Sequence, residues 1–321
     1  MFINPYVLHS LSAALAILFP SLGVAFGLEI AANGMLEATL RQPSAVKQIS
    51  KIFVLGAAMI EGTFIAAFIV TLAMVFPSYS HLTLEISIAE LGMALAIGLC
   101  ACFVALASGF TIRGTCKAVA RQPFFANKIQ MLAMIILTLT ETPVFFALII
   151  ALFMRNNLSA FLTLAQGIKM LGVGFLMGLV AVGPCIGQIL FAEQSCLAVG
   201  VNRKAYNKLF TFSVLTEALI ETPILLAFVL AVFILIKDFS LSPLLSFAVF
   251  LSSSLVASIG ALGAGFGLGY IGGQSAQKIA SNPEQYPAIL QTSILSSIFV
   301  ETTNIFCFFV AVLILINASK I

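Results

Sequence analysis

Hydrophobic and polar positions alternate along this chain in long blocks and not residue by residue. Eight apolar runs can be placed at Leu8 to Phe26, Ile52 to Phe76, Ala89 to Phe110, Met131 to Met154, Met170 to Phe191, Leu209 to Ile236, Phe247 to Tyr270 and Ile289 to Ile316. A helix that crosses the hydrocarbon core needs about 20 such residues. Barrel strands would instead give segments of about ten residues with alternating polarity. The pattern therefore predicts an all-α integral membrane protein with eight transmembrane helices.

The polar breaks have a period. Arg41-Gln42-Pro43, Arg121-Gln122-Pro123, Val201-Asn202-Arg203 and Ser281-Asn282-Pro283 stand 80 residues apart. So do four carboxylates inside the apolar runs: Glu61, Glu141, Glu221 and Glu301. A repeat of this kind fixes architecture. Here it divides the chain into four tandem helical hairpins, 1–80, 81–160, 161–240 and 241–321. A two-helix unit cannot bury its own faces and must stack on neighbours.

The first helix of each hairpin is rich in small residues: Gly23 and Gly27, Ala105 and Gly109, Gly183 and Gly187, and Gly263 to Gly269 at every second position. Small residues let backbones approach closely in lipid. Spacing by two lines more than one face, as on the inner wall of a tight ring, and Phe103 interrupts the pattern. The second helix carries the acid. Eighteen residues separate Pro43 from Glu61, Pro123 from Glu141 and Pro283 from Glu301, about 27 Å along a helix. All four carboxylates therefore lie near mid-membrane, where an ionised side chain costs at least ~2.5 kcal/mol and marks a functional site.

Composition agrees with this picture: 61% of the 321 residues are hydrophobic and 8% charged, with a mean hydropathy of +1.15. A net charge of +3 is too small to imply nucleic acid. Of the 15 Lys and Arg residues, 11 fall in or beside the four turns, which places the turns in the cytoplasm and both termini outside. No Lys or Arg precedes Arg41, so the first run reads as a retained helix and not as a cleaved signal peptide. The six cysteines form no CxxC pair and His9 and His81 are isolated, so no metal or thiol-redox chemistry is expected.

The joint spacing of turn and carboxylate resembles the proteolipid c subunits of rotary F-type ATP synthases, and the chain looks like four such hairpins fused. The resemblance implies a homo-oligomeric rotor ring (c-ring) in an energy-coupling membrane, of the bacterial inner-membrane kind, not catalytic alone. It would turn against a stator, the a subunit, that supplies an Arg, and its cytoplasmic turns would grip the central stalk. It implies ion-carrying carboxylates at Glu61, Glu141, Glu221 and Glu301. The stalk-facing residues would be Arg41, Gln42, Pro43, Arg121, Gln122, Pro123, Asn202, Asn282 and Pro283. The third turn departs from the pattern, with Val201 and Arg203 in the Arg and Pro places, and in the fourth Ser281 replaces Arg.

Sodium-carrying members of that family add a Gln on the first helix and a hydroxyl after the Glu. Gln188 holds the first place in hairpin 3, where Leu28, Ser108 and Leu268 stand elsewhere; Thr142, Thr222 and Thr302 hold the second, where hairpin 1 has Gly62. Glu221, Gln188 and Thr222 could thus take a sodium ion. Pro143 and Pro223 also release the carbonyls of Leu139 and Leu219 from the helix ladder. Every site on a ring passes the same stator, and Leu28 and Leu268 offer no side-chain oxygen, so the expected cargo is the proton and no cofactor is needed. The alternatives are a sodium-carrying ring, a V-type proteolipid, which the four retained acids disfavour, and a secondary transporter, whose repeats are usually inverted. Glu29 and Glu217 have no counterparts in the other repeats and read as weaker carriers.

Overall fold

The computed structural model describes residues 4–76, 81–159 and 162–320, so the hairpin boundaries set after residues 80 and 160 lie outside the described residues. Every regular element among these is helical: α1 (Pro5–Arg41), α2 (Val46–Val75), α3 (Leu84–Arg121), α4 (Ala126–Thr140), α5 (Thr142–Asn156), α6 (Leu164–Val201), α7 (Tyr206–Ile220), α8 (Thr222–Ile236), α9 (Pro243–Ser281) and α10 (Tyr286–Ala318). They make eight crossings long and apolar enough to span a membrane. The sequence predicts eight helices, and the difference is two breaks, one at Glu141 between α4 and α5 and one at Glu221 between α7 and α8.

Local chemistry sets the ends. Thr83 and Thr163 cap α3 and α6, the latter in a reciprocal capping box with Gln166, satisfying backbone N–H groups that have no helical partner. At the hairpin turns the first helix stops on Gln42, Gln122, Asn202 or Asn282, with φ of −142°, −135°, −143° and −133°. A single 3-10 turn follows each. The residue before a proline is driven to extended backbone, which accounts for three of the four. The third turn keeps the conformation without proline. The Asn202 side chain accepts from the Lys204 N–H at 3.0 Å and donates to the Ala280 carbonyl at 2.9 Å, which also ties hairpin 3 to hairpin 4.

The first helices α1, α3, α6 and α9 pack side by side in one row. The second helices form an outer layer lying in the grooves between them: α2 touches α1 and α3, α4–α5 touches α3 and α6, and α7–α8 touches α6 and α9. Among the described residues, α10 packs chiefly on α9 and meets no further first helix on its other side. It is the least buried crossing, and α3 and α6 are the most buried.

Glycine decides how closely the row packs. A Cβ on Gly109 or Gly269 would strike the backbone of Gly27 or Gly187, and a Cβ on Gly183 the backbone of Ala261. The seams α1–α3 and α6–α9 are therefore tight at mid-helix. The seam α3–α6 closes at its ends, through Gly92, Gly174 and Gly178 and through Gly114 and Gly200, whereas its middle carries Phe103 and Ile189. Glycine-lined and larger-residue mid-helix contacts thus alternate, with a period of two hairpins. Ion pairs join the row towards the turns: Lys117 to Glu37 at 2.8 Å, and Arg113 to Glu193 through two hydrogen bonds of 2.7 and 2.6 Å. At the other end His9 meets Glu90 at 2.7 Å.

Candidate functional site

The buried apolar side chains fall into two clusters. One contains Ile60, Leu137 and Ile220 and runs towards the turns; the other contains Ala66, Val144, Ile224 and Ala311 and runs towards the termini. Glu61, Glu141, Glu221 and Glu301 fall between the last residue of one cluster and the first of the other on each second helix. The structure therefore places the four carboxylates in one band that divides the core.

Two backbone solutions carry them. Pro143 and Pro223 have no N–H for the carbonyls of Leu139 and Leu219, and the helix is interrupted two residues earlier, at Glu141 (φ −83°, ψ −13°) and Glu221 (φ −82°, ψ −13°). The Glu221 N–H still reaches the Glu217 carbonyl at 3.0 Å, while its own carbonyl takes the Ile224 and Leu225 N–H groups at 3.1 and 3.3 Å. Thr63 and Thr303 occupy the proline positions in hairpins 1 and 4. Their hydroxyls bond to the carbonyls of Ile60 and Val300 at 2.8 and 2.7 Å, and α2 and α10 run through without a break.

The four side chains meet different surroundings. Glu221 is buried against the preceding hairpin, with the Thr142 side chain near its carboxyl. Glu301 is buried and accepts from the Asn304 amide, one turn on, at 3.0 Å. Glu141 is half-buried, and the residue in Thr142's place in its preceding hairpin is Gly62, which offers no hydroxyl. Among the described residues, α2 meets no earlier hairpin on the Glu61 side. Glu61 is exposed in an open groove of about 500 Å³ with Ala25, Leu28, Phe64 and Ile65. One oxygen each of Glu141, Glu221 and Glu301 is buried without a hydrogen bond.

The residues named from the sequence are brought together unevenly. Thr222 and Thr302 turn back to bond to the carbonyls of Ala218 and Ile298 at 3.3 and 2.7 Å, so neither hydroxyl is given to a carboxyl, and Thr142 is the one of the three that lies near one, that of Glu221. Gln188 is fully buried and lies beside Glu217, not directly on Glu221. Both amide atoms of Gln188 and both oxygens of Glu217 are buried without a hydrogen bond of good geometry. Leaving such groups unpaired costs about 1–3 kcal/mol each, so this is the most polar and least satisfied place in the core. Glu217 stands one helical turn before Glu221, and that spacing was the signal available in the sequence. Asn304, three residues after Glu301, is a partner that sequence reasoning missed, and its one-turn spacing was the signal for it. Arg41, Gln42, Pro43, Arg121, Gln122, Pro123, Asn202, Asn282 and Pro283 lie at one end of the row, exposed or partly so.

A carboxyl at bilayer depth with no fixed cation beside it can bind a proton or a metal cation and is neutral only when loaded. Four such groups share one band, each on a seam between hairpins or on the open edge, and each can undergo the same loading chemistry.

Four segments of the chain, residues 11–74, 91–154, 171–234 and 251–314, each match the family of ATP synthase C subunits. Among curated proteins, the ATP synthase c subunit of Mycoplasmopsis synoviae (strain 53) is 38% identical over 60 residues, 19% of this chain and 54% of the relative. That of Clostridium acetobutylicum is 33% identical over 60 residues, 19% of this chain and 74% of the relative. The match thus spans about half the length of the first relative and about three quarters of the second.

Proposed function

The chain belongs to the family of ATP synthase C subunits, and from that premise we propose that it forms the rotor ring of an F-type ATP synthase, carrying one proton per hairpin. Glu61, Glu141, Glu221 and Glu301 are the carriers. Copies of the chain assemble in a ring within the membrane sector, and the ring turns against a stator that presents an Arg. The turns face the central stalk on the cytoplasmic side. The observation that carries this reading is the single band of four carboxylates, one per hairpin, dividing an otherwise apolar core.

The physical cycle follows from burial. In lipid the neutral carboxyl is favoured because the charged form is poorly solvated, and a nearby cation reverses the preference. A station therefore loads away from the stator Arg and unloads beside it. Protons suit the four stations better than sodium does, because a sodium ion needs several oxygen ligands at each one. Leu28 and Leu268 contribute none, and the hydroxyls of Thr222 and Thr302 are already engaged with their own helices.

A sodium-carrying ring is the second reading, favoured by the unsatisfied amide of Gln188 beside Glu217 and Glu221. Carbodiimide labelling separates the two. With a proton ring, the four named Glu residues are modified in the purified complex, and sodium gives no protection at constant pH. Protection of all four by sodium would replace the proton with sodium. Labelling elsewhere, with the four left unmodified, would contradict the assignment of the carriers.

A further inference from the structure

Two polar side chains of hairpin 3 have no like residue at the equivalent places of the other repeats. Ala57, Leu137 and Ser297 stand where Glu217 stands, and Leu28, Ser108 and Leu268 stand where Gln188 stands. Both Glu217 and Gln188 are fully buried, and each keeps two polar atoms out of any hydrogen bond of good geometry. The packing of α6 on α7 sets them at one level. A Cβ on Gly187 would lie 3.0 Å from Ile220, the rings of Phe191 and Phe212 stand 6.3 Å apart, and the hydroxyls of Ser195 and Ser213 bond to each other. Gln188 and Glu217 fall within that register, side by side. On the reading that Glu221 carries a proton, we infer that Glu217 is its positioning residue: a carboxylic acid that keeps its own proton, pairs with the Gln188 amide and holds that amide off Glu221.

Bonding capacity decides the protonation state. An ionised carboxylate only accepts, and it would leave Gln188 Oε1 without a donor. The neutral acid offers an O–H to Oε1 and a carbonyl oxygen to Nε2, so a single acid–amide pair satisfies all four orphaned atoms. Only the terminal torsions need to turn, and these are broad for both residue types. Charge agrees with this. Glu221 follows one helical turn after Glu217, a spacing at which side chains are neighbours. The other titratable groups around the pair are the thiols of Cys185 and Cys196, and none of the three is a cation. An ionised Glu217 would set a second negative charge beside Glu221 each time that station discharged, whereas the neutral pair adds none.

The consequence is equivalence among unlike stations. With its amide given to Glu217, Gln188 leaves Glu221 one carboxyl oxygen without a hydrogen bond, as Glu141 and Glu301 also have. Hairpin 3 then works as the others do, although it alone has an amide at the Gln188 place. Glu217 is thereby a neutral holder of Gln188 and not a fifth carrier.

The test uses E217L, E217L/Q188L and E217Q in the full-length chain within the assembled complex. E217L strands the amide, which then turns to Glu221. Carbodiimide should modify Glu221 several-fold more slowly than in the wild type, with Glu61, Glu141 and Glu301 of the same complex as internal controls. Adding Q188L should restore the rate, and so should E217Q, which gives the amide a neutral partner again. Unchanged labelling of Glu221 in E217L overturns the positioning role. Loss of coupled ATP synthesis in E217Q, with the four named Glu residues still modified, would make Glu217 a carrier and overturn the inference while their own assignment stands. Infrared difference spectra of wild type against E217Q, after exhaustive carbodiimide treatment, should show one protonated-carboxyl C=O band. Its absence means an ionised Glu217 and overturns the inference even where E217L does not assemble. A wild-type Glu221 that resists carbodiimide, or that sodium protects at constant pH, overturns instead the proton reading on which the inference rests.

Discussion

Hairpins 2 and 3 carry their acids on broken helices, and hairpins 1 and 4 carry theirs on continuous ones. The difference is one residue, two places after the acid: proline at 143 and 223, threonine at 63 and 303. Proline removes an N–H, leaves a carbonyl without its helical partner and ends the ladder beside the carboxyl. Threonine keeps the ladder and commits its hydroxyl to its own helix at 2.8 and 2.7 Å. Four positions that the repeat makes equivalent are therefore held by two backbones. A common mechanism must tolerate both, so the carboxyl, and not its local backbone, is what the four share.

The comparison breaks most severely if a carboxyl is removed. Glu141→Gln on a broken helix and Glu301→Gln on a continuous one should each abolish ion-driven turnover, because in the proposed rotor every station passes the stator in each revolution. Coupled ATP synthesis in vesicles measures this, and survival of either variant at wild-type rate would remove that residue from the set of carriers. Exchanging the backbones comes next. Thr303→Pro should break α10 as α7–α8 is broken and lower stability by about 3 kcal/mol, the usual cost of an interior proline, seen as a lower Tm in detergent. Seam substitutions rank third. Gly109→Ala forces a Cβ into the Gly27 backbone and should cost about 1–3 kcal/mol by overpacking, whereas Gly263→Ala, open in the single chain, should not lower the Tm of the isolated chain. The smallest effect is expected from Pro223→Ala. Rejoining α7 to α8 should raise helical hydrogen-exchange protection around Glu221 and leave assembly intact.

The eight crossings, the fourfold repeat and the mid-core positions of the four carboxylates were legible in the sequence, because lipid permits so few backbone arrangements that long apolar runs translate directly into helices. Pro143 and Pro223 announced released carbonyls, and the helix breaks at Glu141 and Glu221 follow from the same missing N–H. What could not be read was which neighbour each side chain meets. Gln188 stands at the place that points to its own hairpin's carboxylate, yet it lies beside Glu217. Thr142 lies near Glu221, a residue 79 positions away, while Thr222 and Thr302 bond to their own helices. Those choices depend on rotamers and on packing between hairpins, which a periodic sequence does not encode. The third turn shows the converse. Its sequence departs from Arg-Gln-Pro, but Asn202 rebuilds the same conformation with two side-chain hydrogen bonds.

The central claim, a ring of whole chains with four loaded stations in each, is tested most directly by native mass spectrometry of the detergent-purified complex after exhaustive carbodiimide treatment. The account predicts a closed assembly weighing a whole-number multiple of 34.0 kDa, with four modifications per chain at Glu61, Glu141, Glu221 and Glu301. A stable monomer, or a ring in which one of the four stays unmodified, would contradict it.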